Sequence, residues 1–512
     1  MTVQDMLQQA LRHHQSRRLA DAEELYLQIL RLEPTNSVAL NLLGVLAMQS
    51  EKPAKARQFL QRAIDLSPAN GEFHFNLGLA LAADNMPAEA EASFRKATLL
   101  SPRNPAAWNK LAELLIEDGK AQEAAAACRK ALALQPKFPE ACNTLGRAMF
   151  GLDDLDAAIA AFSRAVEQYP NFAAAQCNLG QAMCESGRYD QALVSLRRAI
   201  ELKHNFALAH WNLALLLLRL GDFERGWPKF EARWRLPNVD MVMPYQQPWW
   251  DGGPLHGKRI LLHAEQGFGD TIQFIRYLPM VIERGGKVLV VAQRELVPLL
   301  RCIGGVEQWL SEGDRLPEFD VHCPMLSLPG RFQTKPADIP AMVPYLTCEA
   351  TCAERWRGRL RKYPRPRIGL AWTGSPINPE NPTRSFPLAA MAPLGEATSG
   401  SFFSLQKGAA AAQSAAAPMP LVDWTDDLHD FADTAALMES LDLVITTDTS
   451  VAHLAGALGR PLWVLLKYVP DWRWFIDRSD SPWYPTAKLF RQPRRGDWSA
   501  PMRQAAEALR SL

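Results

Sequence analysis

An aspartate stands in a glycine-rich loop directly after a short apolar segment in the second half of the chain. Residues 260–263 predict a strand, and the loop after it carries Gly267, Gly269 and Asp270 before a helical segment begins. The glycines let the backbone approach a ligand closely, and free N–H groups at a helix start can bind an anion. Asp270 therefore either faces the presumed cleft or caps the helix, and spacing alone leaves both open.

A second loop of this kind follows the apolar segment 443–446. It contains Asp448, Thr449 and Ser450, with His453 one turn into the predicted helix. Hydroxyl groups and backbone amides at a helix start suit the oxygens of a diphosphate. Capping explains one of these polar residues but not the whole run. His453 is either a core histidine or a phosphate ligand.

Two cations also follow predicted strands, Arg384 and Lys407. Each alone is more often a surface charge, but two that converge on one cleft would offset the charge of a phosphate. Trp372 and Trp472 could stack on a base or a sugar, although packing is the simpler interpretation of both.

These loops need elements that bring them together. Short apolar segments alternate with helical ones from Arg259 onward, which predicts parallel sheets. We expect two Rossmann-like halves, separated near residues 345–365, with ligands bound beyond the carboxyl ends of the strands. The predicted strands are 260–263, 287–292, 320–323, 367–372, 401–405, 443–446 and 461–465.

The first half of the chain has a different pattern, a period of 34 residues. Units begin at Ser37, Gly71, Pro105, Pro139, Ala173 and Ala207. The seventh position is always leucine, the eighth and twentieth are small, and the twenty-seventh is alanine until Arg233 breaks it. Small residues let two helices of a unit approach, and no unit can bury its apolar face alone. The pattern resembles the tetratricopeptide family and implies a stack of helix pairs over residues 1–235.

Asparagines recur on the first helix of several units. Asn76, Asn178 and Asn212 occupy position six, and we predict that they bind the backbone of an extended peptide, as the related arrays of O-GlcNAc transferases do. Solvated polar positions are the alternative. Asn41, Asn109 and Asn143 stand one place earlier, where we expect a different face.

Composition excludes several classes of protein. The 512 residues carry 56 basic and 55 acidic side chains, so no global basic field favours nucleic acid. We find no signal peptide and no apolar run of membrane-spanning length, and expect a cytoplasmic protein. The eight cysteines form no C-x-x-C pair, and we expect no metal site.

Five stretches of the second half make a more specific resemblance. HAEQGFGDTIQFIRYLP, RIGLAWTGSP, RSFPLAAM, FFSLQKG and ITTDTSVAHLAGALGRP occur in this order. Together they resemble bacterial tetratricopeptide-repeat glycosyltransferases with a heptosyltransferase-like (glycosyltransferase family 9-like) domain. The similarity covers nearly all of Arg259 to Leu512.

The resemblance implies a GT-B fold and inverting, metal-independent transfer of a sugar from a nucleotide-sugar co-substrate, with no other cofactor. It implies that Asp270 is the catalytic base and that Arg384 lies near the diphosphate. The implied donor loops are Thr373–Gly374 and the run of Asp448, Thr449, Ser450 and His453, with Lys407 as a further donor-binding residue.

The expected architecture is an all-α repeat solenoid followed by an α/β GT-B domain. We assign residues 1–235 to the array, 236–258 to a connector, 259–350 to the acceptor half and 351–512 to the nucleotide-sugar half. The acceptor, a protein or glycan, would be presented by the array.

Two features leave the identity of the sugar donor undetermined. They are the proline-rich segment 377–382 and an alanine-rich insertion at 409–417. Two other functions also stay open. One is a non-catalytic repeat scaffold or sugar-nucleotide sensor, and the other is a dinucleotide-dependent oxidoreductase. The second lacks a full G-x-G-x-x-G followed by an acidic residue.

Overall fold

The computed structural model describes residues 2–236, 245–378 and 381–511. Residues 237–244 of the predicted connector lie outside this part of the chain, as do Pro379 and Glu380 of the proline-rich segment. The chain forms two compact units, Met1–Phe206 and Ala207–Leu512.

The first unit is all helical, with two antiparallel helices in each repeat, and the predicted tetratricopeptide-type solenoid is confirmed there. Its helices are α1 Val3–Gln15, α2 Leu19–Leu32, α3 Ser37–Gln49, α4 Pro53–Leu66, α5 Gly71–Ala83, α6 Pro87–Leu100, α7 Pro105–Glu117, α8 Ala121–Leu134, α9 Pro139–Gly151, α10 Leu155–Gln168, α11 Ala173–Glu185 and α12 Tyr189–Leu202.

Local sequence sets where these helices begin. The side chains of Asn36, Asn70 and Asn104 accept hydrogen bonds from backbone N–H groups in the first turns of α3, α5 and α7. Pro53 and Pro87 occupy the first position of α4 and α6, where a missing N–H costs nothing. The boundaries of the repeats are therefore encoded in each repeat separately.

The second unit starts with one more helix pair and continues into two sheets. The pair is α13 Ala207–Arg219 and α14 Phe223–Phe230, followed by a 3-10 turn at Glu231–Arg235. The strands are β1 Arg259–His263, β2 Lys287–Ala292, β3 Val306–Ser311, β4 Val321–Pro324, β5 Arg367–Ala371, β6 Ser401–Ser404, β7 Leu421–Val422, β8 Leu443–Thr447, β9 Leu462–Leu466 and β10 Ala487–Arg491.

All pairings within the two sheets are parallel. The first sheet has the order β3-β2-β1-β4 and the second has the order β10-β9-β8-β5-β6-β7. The central strands β8 and β9 are buried along their whole length, as helices on both faces require. The predicted parallel sheets are confirmed, whereas β3, β7 and β10 were not predicted.

Short helices connect the strands. They are α15 Phe268–Phe274, α16 Leu278–Ile282, α17 Val297–Leu300, α18 Leu328–Arg331, α19 Ala350–Leu360, α20 Asn381–Arg384, α21 Ala392–Ala397, α22 Phe431–Met438, α23 Ser450–Ala457 and α24 Ser499–Leu509. Further 3-10 turns lie at Ile275–Tyr277, Met325–Ser327, Pro336–Asp338, Leu388–Met391, Ala409–Ala416, Thr425–Asp427 and Trp472–Trp474.

The last helix pair packs into the second unit through aromatic side chains. Phe223 stacks on Phe475 with ring centroids 5.8 Å apart, and Trp227 meets Trp472 edge to face at 5.4 Å. The last helix pair therefore belongs to the second compact unit, which begins at Ala207.

Arg233, which breaks the alanine pattern of the repeats, is buried in the second unit. Its guanidinium donates to both carboxylate oxygens of Glu265 at 2.9 Å and to Ser327 Oγ at 2.7 Å. Only 1% of the Arg233 side chain and 2% of the Glu265 side chain are exposed. Arginine at this position, where the other repeats have alanine, therefore connects the last helix pair to the loop after β1 by a buried ion pair.

None of the helices in the described ranges is both long and apolar enough to cross a lipid bilayer.

The eighth position of each repeat tests the close approach of paired helices. A Cβ atom on Gly146 would lie 2.5 Å from Phe162 Cδ1, whereas one on Gly151 would meet Ala121 Cβ at 3.6 Å. We expect Gly146→Ala to lower the free energy of unfolding by about 1–2 kcal/mol, because overpacking exceeds the gain in helix propensity.

Gly151→Ala in the same helix serves as the matched control and should be neutral or slightly stabilising. Urea unfolding of the full chain, followed by circular dichroism, measures both variants. Equal stability of the two variants would contradict the proposed close approach.

Candidate functional site

The two glycine- and hydroxyl-rich loops meet, although they follow strands of different sheets. A Cβ atom on Gly269 would lie 2.7 Å from His453 Cδ2 and 3.5 Å from Ser450 Cα. The first turn of α15 therefore lies against the first turn of α23. Because free N–H groups cluster at helix starts, this contact brings two sets of anion-binding donors together.

Asp270 lies at this contact, with 18% of its side chain exposed. Its Oδ2 atom accepts a hydrogen bond from the Gly267 N–H at 3.0 Å, which is a capping interaction. Its Oδ1 atom forms an ion pair with Arg473. Asp270 thus caps α15 and also faces a charged partner, so the two alternatives left open by the sequence are not exclusive.

Arg473 lies after β9 and reaches across to α15 of the other sheet's half. Its Nε atom donates to Gln273 Oε1 at 2.6 Å and its Nη1 atom to Asp471 Oδ1 at 2.9 Å. The guanidinium stacks on the Trp472 ring, 4.5 Å from the centroid. With Asp270, these contacts give Arg473 partners from both halves.

The carboxylates around Arg473 differ in basicity. Burial raises the pKa of Asp270 above its usual range, although Arg473 acts in the opposite direction. Burial and the negative charge of Asp471 raise the pKa of Asp448, and Arg384 lowers it. Burial opposes ionisation of Asp471 as well, but Arg473 holds the pKa of Asp471 below the ordinary value. Two of the three carboxylates are therefore better bases than a free aspartate.

His453 is a buried, neutral imidazole. Its Nδ1 atom lies 2.8 Å from the Tyr484 hydroxyl, and its ring stacks on Trp474 with centroids 5.7 Å apart. Burial and the positive charge of Arg473 lower its pKa well below the ordinary value. The Nε2 atom lies 3.8 Å from Asp448 Oδ1. A neutral His453 can exchange hydrogen bonds with a ligand but adds no positive charge.

Arg384 is held over the loop after β5. A Cβ atom on Gly374 would lie 2.5 Å from Arg384 Nη2, and the Gly374 N–H donates to Asn381 Oδ1 at 2.9 Å. Thr373 Oγ1 lies 2.8 Å from Ser385 Oγ, which completes the network of this loop. Arg384 Nε is buried and has no hydrogen-bond partner among the described residues. The predicted donor loop and the predicted cation are therefore adjacent.

Thr449 and Ser450 begin α23. Thr449 is the N-cap residue, but its side chain forms no capping hydrogen bond, and its Oγ1 atom lies 3.2 Å from Thr446 Oγ1. Ser450 is half-buried next to Gly269. The hydroxyl-rich run is thus placed at the helix start that the sequence predicted.

Lys407 lies apart from this cluster. Its ammonium group donates to the backbone carbonyls of Thr425 at 2.5 Å and Leu428 at 2.9 Å. Trp372 and Trp472 are 1% and 2% exposed, and the Trp372 indole N–H donates to Gln413 in the alanine-rich insertion. Both tryptophans are therefore packing residues, which is the simpler of the two interpretations given above.

Sequence reasoning missed Arg473, Asp471 and Gln406. Gln406 Oε1 accepts hydrogen bonds from the N–H groups of Trp372 and Thr373, each at 3.0 Å, and so shapes the loop after β5. Arg473 and Asp471 follow the predicted strand at 461–465. The rule that ligands bind beyond strand ends pointed to that segment too, but no short motif marks it.

The asparagines of the array form pairs between neighbouring repeats. Asn76 Nδ2 donates to Asn41 Oδ1 and Asn178 Nδ2 donates to Asn143 Oδ1, each at 2.9 Å. Position five of one repeat therefore lies opposite position six of the next, so the two positions contact different neighbouring repeats. Asn109 is buried and donates instead to Glu113.

A pocket of about 640 Å³ opens beside the first of these pairs. It is lined by the α5 residues Glu72, Phe75 and Asn76 and by the segment before α7, which comprises Ser101, Pro102, Arg103 and Asn104. The first unit therefore offers amide, carboxylate, guanidinium and aromatic groups at one place.

Family models for tetratricopeptide repeats match the first part of the chain. One matches residues 7–71, 41–98 and 75–139, a second matches 115–184 and a third, described as a TPR repeat, matches 180–221. The N-terminal region is thus a tetratricopeptide-repeat array. The chain is also 27% identical over 331 residues to protein FlbA of Caulobacter vibrioides, a match that covers 58% of this chain and 54% of FlbA.

Solved repeat structures resemble parts of the chain. YrrB, described as a TPR protein with an unusual peptide-binding site, is 22% identical with a TM-score of 0.33, covering 37% of this chain and 97% of YrrB. Pseudomonas aeruginosa PilF is 18% identical with a TM-score of 0.36, covering 40% of this chain and 92% of PilF.

The contact between α15 and α23 can be tested by adding one methyl group. We expect Gly269→Ala to destabilise the second unit by about 1–3 kcal/mol, because the new Cβ would overlap His453. Gly267→Ala is the matched control, since its Cβ would meet Asp270 Oδ2 at 3.5 Å and its φ of −72° suits alanine. Thermal unfolding compares the two, and a Gly269→Ala variant as stable as Gly267→Ala would argue against this contact.

Proposed function

We propose that the second unit is a glycosyltransferase that moves a sugar from a nucleotide-sugar donor to an acceptor hydroxyl. The observation that carries this proposal is the convergence of Asp270, Arg384 and the hydroxyl-rich start of α23 at one place between two parallel sheets. One general base and one anion-binding group are the two parts that such a transfer needs.

The anion-binding part has the right chemistry for a diphosphate. The start of α23 offers backbone N–H groups and the hydroxyls of Thr449 and Ser450, and Arg384 carries a buried Nε–H without a partner among the described residues. Arginine and helix N-termini both favour phosphate oxygens. These groups would bind the donor diphosphate and stabilise it as it leaves.

The base would be Asp270. Its raised pKa makes it a stronger proton acceptor than a free aspartate. In the reaction, Asp270 takes the proton of the acceptor hydroxyl while that oxygen bonds to the anomeric carbon. The bond from this carbon to the diphosphate oxygen breaks, and the nucleoside diphosphate leaves with the electron pair. The attack on the opposite face gives inversion.

We further propose that the two halves form a GT-B fold. Two parallel sheets, with loops at the carboxyl ends of β1, β5 and β8 in mutual contact, support this assignment. The sequence resemblance over Arg259 to Leu512 supports it independently.

For the repeat array we propose a peptide or protein partner, which would be the acceptor or carry it. Tetratricopeptide repeats commonly bind extended peptides, and the Asn41–Asn76 pair lies beside a pocket with polar and aromatic lining. An amide that uses one N–H in such a pair still has an oxygen and a second N–H for a peptide backbone.

A repeat scaffold with a non-catalytic second unit is the alternative function. The ion pair between Asp270 and Arg473 fits this alternative as well, because a contact of this kind can serve structure alone. Lys407 also fits the scaffold function, because its ammonium group is occupied by backbone carbonyls and lies apart from the proposed donor site.

The base assignment predicts that Asp270→Asn lowers turnover by about 10²–10⁴-fold, because general base catalysis contributes that much. Nucleoside diphosphate binding should persist or tighten, since a carboxylate next to the phosphate site is removed. Turnover is measured as nucleoside diphosphate release from UDP-, GDP- and ADP-sugars. Binding is measured by thermal shift with the matching diphosphates and with NAD.

A second variant, Arg384→Gln, tests the anion-binding part of the proposal and should weaken nucleoside diphosphate binding. Unchanged turnover in Asp270→Asn would refute the base assignment. Stabilisation by NAD alone would favour an oxidoreductase, and no stabilisation by any nucleotide would favour the scaffold.

The amide pairs predict a second outcome. We expect Asn76→Ala and Asn178→Ala together to reduce peptide capture from a peptide display library about tenfold or more, since each lost hydrogen bond to a backbone is worth about 1 kcal/mol. The exposed arginine variant Arg198→Ala, on α12 of the same unit, is the control. Equal capture by the double variant and the control would exclude this face as the peptide site.

A further inference from the structure

Arg473 is the one residue among the described contacts of Asp270 that could orient it from the opposite half. The Arg473 side chain is 10% exposed, and its guanidinium carbon lies 4.5 Å from the centroid of Trp472 and 5.6 Å from that of Phe274. Stacking on Trp472 restricts the plane of the guanidinium, and its planar N–H groups then have fixed directions.

Three anchors also fix the arginine within that plane. Asp471 Oδ1 accepts hydrogen bonds from the Arg473 backbone N–H at 3.0 Å and from Nη1 at 2.9 Å. Gln273, on the same helix as Asp270, accepts from Nε at 2.6 Å. Nη2 is thereby directed at Asp270 Oδ1.

Asp270 is held from the other side by its own loop. The Gly267 N–H binds Oδ2, and the ion pair binds Oδ1, so both oxygens have one fixed partner. Each carboxylate oxygen keeps a second lone pair that can accept a proton. The arrangement orients this base without blocking it.

We propose that Arg473 is a positioning residue that orients the Asp270 carboxylate across the two halves and keeps it ionised in the free protein. The inference rests on the proposed transferase function and deepens it, since it states how the base is prepared. Arg473 acts through Asp270 and is not itself assigned a contact with substrate.

The charges that face Asp270 set the direction of each expected effect. Arg473 and Arg384 favour the ionised carboxylate, Asp471 and burial disfavour it, and neutral His453 packs at the neighbouring Gly269. Asp448 belongs to the same charge cluster through Arg473. Loss of Arg473 should therefore raise the pKa of Asp270, and loss of the Asp471 charge should lower it.

The test is the pH profile of nucleotide-sugar turnover in the full chain. For Arg473→Gln we expect the acidic limb of kcat/KM to move up by about 1–3 pH units, the usual effect of one opposite charge at this range. For Asp471→Asn we expect a smaller move to lower pH. Arg473→Lys keeps the charge but not the three-way contact, so its limb should stay near the wild-type position while kcat falls.

Arg478→Gln is the matched control. Arg478 lies five residues further along and forms an exposed ion pair with Asp480, so its loss should leave the profile unchanged. A loss of activity in Arg473→Gln that is equal at every pH would overturn the inference, because a merely structural role has that signature.

A second measurement does not depend on turnover. In thermal unfolding, Arg473→Gln and Asp270→Asn should together lower Tm by less than the sum of their separate effects. This coupling should shrink as the pH falls through the pKa of Asp270. Additive shifts with wild-type turnover intact would overturn the role of Arg473 alone. Coupled shifts with no turnover in the wild type would overturn the proposed function, and the positioning role with it.

Discussion

The loop between β1 and α15 is held by one arginine–carboxylate pair at its start and by a second in the first turn of α15, and the arrangement of the second unit depends on this constraint. Arg233 from the last helix pair binds Glu265 at the start of the loop, and Arg473 from beyond β9 binds Asp270 in that turn. Removing one partner of the fully buried Arg233–Glu265 pair would leave an unpaired buried charge, which costs about 3–5 kcal/mol. The loop is therefore held in one conformation by residues that are distant in the sequence, and every group around Asp270 is placed relative to it.

The same constraint explains why the two sheets belong to one compact unit. Parallel sheets joined by a single segment can move relative to each other unless something crosses between them. Here the guanidinium of Arg276 also bridges the halves, since it donates to the Trp483 carbonyl and to the Tyr345 hydroxyl. Buried charges demand well-directed hydrogen bonds, whereas apolar contacts tolerate sliding. Polar contacts therefore set the alignment of the halves, and the aromatic cluster around Trp472 supplies the apolar burial.

Much of the fold could be predicted from the sequence, because the residues that determine each helix pair and strand lie close together in the chain. Leucine and small residues at fixed positions of each unit predict the helix pairs, and buried strands such as β8 read as continuous apolar segments. The edge strand β3 was missed because only one of its residues is buried, so it lacks that signal. Asp448, His453 and Arg384 could be named as candidates because short motifs at strand ends carry them. Arg473 was not, because its role comes from a contact with Asp270, 203 positions away. The departure from the alanine pattern at Arg233 was visible in the sequence, but the repeats did not indicate that Glu265 is its ion-pair partner.

The asparagine pairs give the array a direction. In both pairs the amide N–H donor belongs to the later repeat and the oxygen acceptor to the earlier one. The contacting residues are 35 positions apart, one more than the repeat length, so in both pairs position five of the earlier repeat faces position six of the later one. The two pairs lie three repeats apart and have the same orientation. A chain lying along the first helices would therefore meet the same sequence of amide groups twice in one direction and the reverse sequence in the other, so parallel and antiparallel binding are not equivalent.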